Sequence, residues 1–96
     1  MTATWYKWSV MPEISRFYGI IIAMFYEDHN PPHFHARYSG DQVVIKIDDF
    51  TVLEGFFPPR ALGLVVEWAA RHKAELIENW ESIVNNQPPR KIAPLD

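Results

Sequence analysis

The hydrophobic pattern of the chain changes character twice. From Ile14 to Tyr26 the residues are β-branched, aromatic and almost continuously apolar. The run is rich in strand formers and too short for an amphipathic helical cycle, so it predicts one long central strand, bent at Gly19. Glu27-Asp28-His29-Asn30-Pro31-Pro32 ends it, because two successive prolines cannot donate to a ladder and the residue before each is held extended. A stiff loop is expected there. His33 to Ser39 resumes as a strand, Gly40-Asp41 is a hairpin signal, and Val43, Ile45 and Ile47 alternate with Val44 and Lys46 in a strand from Gln42 to Asp48. A further strand, Thr51 to Phe56, follows the Asp48-Asp49 turn.

After Pro58-Pro59 the period becomes helical. Proline is tolerated in a first turn, where no intrahelical N–H bond is needed. Leu62, Val65, Ala69, His72, Leu76, Trp80 and Ile83 then recur at steps of three and four. The stripe predicts one long helix, or two kinked near His72, ended by Asn85-Asn86-Gln87-Pro88-Pro89, with the remaining tail as a surface strap. The fold class expected is therefore α+β: an antiparallel four-stranded meander followed by helix packed on one sheet face.

The length of 96 residues leaves room for one core, spanning residues 11–96. Residues 1–10 carry Trp5, Tyr6 and Trp8 in no clear period. Either Met11 is the native start, or these residues form an N-terminal arm whose aromatics dock on the domain or on a neighbouring subunit. Apolar residues make up 48% of the chain, which rules out a disordered composition. Cysteine is absent, which removes disulfides, thiolate zinc sites and thiol nucleophiles and points to a reducing, cytoplasmic compartment. No apolar run approaches the length of a membrane span, so no membrane partner is expected. The formal charge of −3 does not favour nucleic acid as a partner, although a local basic patch is compatible with it.

Candidate chemistry concentrates after the proline loop. Side chains alternate along a strand, so Phe34, Ala36 and Tyr38 share one face and His33, His35 and Arg37 the other. If Phe34 and Tyr38 face the helix, the His-His-Arg row faces away from it. Three readings stay open. His33 and His35 can share a divalent metal, with Asp28 completing an open site. His33, His35 and Arg37 can act as catalytic groups, since imidazole exchanges protons near neutral pH and His with Arg suits phosphodiester chemistry. The plainest account is that the two histidines hydrogen-bond the Pro31-Pro32 loop. His72, on the helical stripe, reads as a half-buried histidine bonded to backbone, with a third metal ligand as the sharper alternative. Glu67, Glu75, Glu78 and Glu81 with Arg71 and Lys73 read as a solvated helix face, Glu67 and Arg71 being an i,i+4 pair.

The run from Met11 to Ile20, Asp28-His29-Asn30-Pro31-Pro32-His33-Phe34-His35-Ala36-Arg37-Tyr38, Leu53-Glu54-Gly55, Pro58-Pro59-Arg60-Ala61-Leu62, Glu67-Trp68 and Asn79-Trp80 together resemble the bacterial domain-of-unknown-function family 4160. The N-terminal arm departs from that pattern. Genes of this kind often lie beside a second small gene in an arrangement suggestive of a toxin–antitoxin pair. The resemblance thus implies a small protein partner, with a homo-oligomer as the alternative. Two function classes follow: an interaction component of a two-protein module, or a small ribonuclease or metal-assisted hydrolase working at the His33/His35 face.

Overall fold

A computed structural model describes residues 12–96; the expected N-terminal arm lies outside them. Five strands run β1 (Glu13–Phe17), β2 (Ile20–Ala23), β3 (His33–Tyr38), β4 (Asp41–Lys46) and β5 (Val52–Gly55), followed by helices α1 (Pro59–Arg71) and α2 (Lys73–Val84). The sheet is an antiparallel meander in chain order, β1-β2-β3-β4-β5. The α+β class agrees with the sequence reading, but the strand count does not. The apolar stretch expected to form one long strand folds back on itself as the β1–β2 hairpin, with Phe17 opposite Ile20. Tyr18 (φ 51°) and Gly19 (φ 78°) form its two-residue loop. Positive φ at both central positions matches the right-handed twist of the flanking strands. The bend expected at Gly19 is thus a complete reversal.

β3 sits at the centre of the sheet and pairs without interruption along its length with β4, from His33 opposite Lys46 to Tyr38 opposite Asp41. Ile20, Ile22, Phe34, Ala36, Val43 and Ile45 point to the helical layer and are fully buried or nearly so. The helices answer with Val65, Trp68, Ala69, Leu76, Trp80 and Ile83, all buried, so the stripe read from the sequence is the face that covers the sheet. The Trp68 ring lies edge-on to Phe34 at 6.0 Å and against Phe17 at 5.4 Å. The helical run breaks at His72, whose ψ of 25° leaves the helical region. Among the described residues no helix is long and apolar enough to cross a membrane.

The two sheet edges differ. At β1 the tail closes the edge: Ile92 N–H donates to Ile14 O at 2.8 Å, and Ile92 and Leu95 are buried. Two side chains clamp the tail to the helices. Trp68 Nε1 donates to Ala93 O at 2.8 Å, while Asn79 accepts from Arg90 N and donates to Arg90 O, each at 2.9 Å. At β5 no further strand is paired among the described residues. There the ladder shifts register between Val44 and Ile45, leaving Leu53 without an opposite residue. Gly55 ends the strand at φ 89°, so close to β4 that an added Cβ would fall 2.2 Å from Gln42 O.

Asn79→Ala removes both clamps on Arg90 and leaves a backbone N–H and C=O without partners. We expect a loss of about 2 kcal/mol in urea unfolding, together with faster proteolysis after Arg90 and Lys91. Unchanged cleavage there would mean that Trp68 and Ile92 hold the tail unaided.

Candidate functional site

The site is built by β3 and the loop that precedes it. β3 has no bulge between Phe34 and Tyr38, so the alternation expected from the sequence holds. Paired residues in an antiparallel ladder share a face, which places Ala23, His35, Val44 and Glu54 in one row across four strands and His33 beside Lys46 in the next. This is the sheet face opposite the one that Val65, Trp68 and Ala69 cover, although His33, the first residue of β3, also touches Trp80 of α2. Pro32 O accepts from Ile47 N at 3.0 Å, continuing the ladder with β4, and the Met24–Pro32 segment returns to this face through Asp28, whose carboxylate meets both rings. His33 and His35 consequently lie beneath a loop and keep only 9% and 13% of their side-chain surface in solvent.

Asp28 joins the two imidazoles. Its Oδ2 lies 2.9 Å from His33 Nε2 and 3.0 Å from His35 Nε2. The other nitrogen of His33, Nδ1, lies 2.7 Å from Pro31 O. A carbonyl oxygen only accepts, so Nδ1 carries a hydrogen and Nε2 is the atom whose proton is free to come and go. The His35 ring packs on Phe25 with centroids 3.9 Å apart, and the His33 ring on Trp80 at 5.0 Å. The rings are therefore held by β3 at one end and by aromatic neighbours along their sides.

Electrostatics sharpen the arrangement. Burial alone would push the Asp28 carboxyl up, but the hydrogen bonds and charge of His33 and His35 outweigh it and hold the group far below the usual carboxylate range. Burial would likewise push His33 down. The bonds to Asp28 and to the Pro31 carbonyl, with the charges of Asp28 and Glu54, outweigh it and raise the ring above its ordinary value of 6.5. Such a cluster can store a proton between carboxylate and imidazole, or present one oxygen and two nitrogens to a cation.

Asp28, His33 and His35 are brought together, and their ligand atoms lie within 4.8 Å of one another. Of the plainest sequence reading, hydrogen bonding of both histidines to the Pro31-Pro32 loop, the structure shows the His33 bond to Pro31 O, while His35 meets Asp28. Arg37 shares the sheet face but lies one row further along, opposite Ile21 and Gln42, and its charge acts on Glu13. His29, next to Asp28 in sequence, is exposed. His72 stays on the helical side, with Nδ1 against the Glu75 carboxylate. Phe25, Glu54 and the Trp80 contact with His33 were not anticipated. The row of Glu54 depends on the β5 bulge, which no residue pattern announces; Phe25 was hidden inside a run that reads as strand.

Residues 19–81 match the family described as a domain of unknown function, DUF4160. The match covers more than half of the chain, from the β1–β2 turn through most of α2, and the protein belongs to this family. Met11 to Tyr18, which also carried the sequence resemblance, fall outside the matched region. Searches of curated proteins and of solved structures find no match.

The pH dependence of stability in chelator-treated protein follows from the two shifts. The lowered Asp28 contributes stability that is present above the ordinary carboxylate value of 3.8 and lost as pH falls through its folded value. The raised His33 contributes stability that is present below 6.5 and lost as pH rises through its higher folded value. Both contributions are in place between those two ordinary values. Urea midpoints followed across pH should be highest there, and Asp28→Asn should flatten the alkaline limb. An alkaline limb that is unchanged in Asp28→Asn would show that the carboxylate does not hold the His33 proton.

Proposed function

We propose that the protein is the interaction component of a two-protein module and that the β5 side of the sheet receives the partner. The observation that carries this reading is the asymmetry of the sheet. The tail covers the β1 edge at Ile14, whereas β5 is exposed along its whole length and pairs with no outer strand among the described residues; it carries Val52 and Leu53 and is followed by Phe56, which keeps 64% of its surface in solvent. Apolar side chains beside an unpaired edge are the usual material of strand addition and of interface cores. The bulge at Leu53 and the Glu54 charge interrupt that edge, devices that discourage indiscriminate pairing. A dedicated partner shaped to the bulge therefore suits it better than a second copy. The toxin–antitoxin-like gene arrangement implied by the family resemblance points the same way.

A second reading is supported by the convergence of Asp28, His33 and His35: a small ribonuclease or metal-assisted hydrolase using that face. The two readings separate by mutation. An enzyme loses activity and keeps its fold in His33→Ala and His35→Ala, whereas an interaction component loses its partner through the β5 rim.

Co-expression with the product of the neighbouring gene tests the first reading. A stable complex at micromolar concentration is expected, and Leu53→Lys with Phe56→Ser should abolish it while changing stability by only about 0.5 kcal/mol per site. No complex with the parent protein, or a complex indifferent to the double substitution, would sink the assignment to β5.

A further inference from the structure

We infer that Asp28, His33 and His35 form a binding site for one divalent transition-metal ion of the zinc class, whether or not the protein turns over a substrate there. The inference starts from the direction of lone pairs. Because His33 Nδ1 donates to Pro31 O, the neutral ring presents the lone pair of Nε2 to the Asp28 carboxylate. Two acceptors cannot face each other at 2.9 Å without something positive between them. Protons fill that role in the arrangement described above, and a dication fills it with more charge. The hydrogen bond from the far nitrogen of a ligating histidine to a backbone carbonyl is also the usual outer support of a metal ligand, fixing tautomer and ring plane.

Distances and frame agree. Two ligands about 2.0 to 2.1 Å from a tetrahedral ion stand ~3.3 Å apart, so the two Asp28–histidine separations of 2.9 and 3.0 Å need to open by roughly 0.3 to 0.4 Å, while the two imidazole nitrogens, within 4.8 Å of each other, need to settle to the same spacing. His33 and His35 come from one strand paired on both sides, and Asp28 from the short loop leading into it. Little reorganisation is needed because Phe25 and Trp80 already hold the ring planes. Two nitrogens and one carboxylate oxygen suit zinc or ferrous iron and lack the all-oxygen shell that calcium and magnesium require. Three protein ligands leave a position for water.

The test is calorimetric titration of the full chain, stripped with chelator, with Zn2+ and separately with Ca2+. We expect a single zinc ion per chain with a dissociation constant of micromolar order or tighter, and no comparable calcium binding. His33→Ala and His35→Ala should each lower zinc affinity by about 100-fold or more, while His29→Ala and His72→Ala leave it unchanged. Zinc binding that survives loss of His33 and His35, or that is lost equally with His29, would overturn the site, as would binding by the parent protein no tighter than about 0.1 mM. Should either ligand variant fail to fold, titration of the parent protein with Co2+, read through its histidine ring 15N signals, decides the matter. Perturbation at Nε2 of His33 and His35 supports the site, and perturbation centred on His29 or His72 refutes it. Failure of these tests leaves the β5 partner reading untouched, because the two rest on opposite ends of the row from His35 to Glu54.

Discussion

Both faces of the molecule depend on the strict alternation of side chains along β3. Phe34 and Ala36 are fully buried under the helical layer, and this fixes which side His33 and His35 must take. A slip of one residue against β4 would exchange the aromatic core for imidazoles. The uninterrupted register from His33 to Tyr38 is therefore a requirement of the core and of the histidine cluster together. Any substitution that weakens Phe34 packing acts on both.

The cluster is an energetic compromise. A carboxylate and two imidazoles nearly removed from water lose hydration that an exposed site would keep. Their mutual hydrogen bonds, the Pro31 carbonyl and the aromatic walls offset that loss. Asp28 is the joint of the three, because removing it takes from both Nε2 atoms the acceptor they share. This interdependence explains how side chains on a small single-layer sheet can be held in fixed positions without disulfides.

Much of this was legible in the residues and some was not. The alternation of β3, the Gly40 hairpin, the proline start of α1 and the helical stripe each follow from a local pattern that the core then enforces. The β1–β2 reversal does not, because apolar residues flank the turn on both sides and Tyr18, an uncommon residue for a left-handed position, forms half of it. An apolar hairpin buried on one face reads like one continuous strand. At the site, the shared face of His33 and His35 came from period alone. The arrival of Asp28, and the exclusion of His29 beside it, depend on the path of an irregular loop over the sheet. The five-residue sequence distance from Asp28 to His33 permits the contact without dictating it.

The clamped tail imposes an order on synthesis. Ile92 caps the outer edge of β1 through Ile14, a strand made nearly a whole domain earlier, and Trp68 and Asn79 hold the tail residues on either side of it, Ala93 and Arg90. During translation the Ile14 carbonyl must therefore wait for this donor until Ile92 has left the ribosome. For that interval the β1 rim lacks a cover that it has in the folded domain, and an uncovered sheet edge is where a growing chain takes wrong partners.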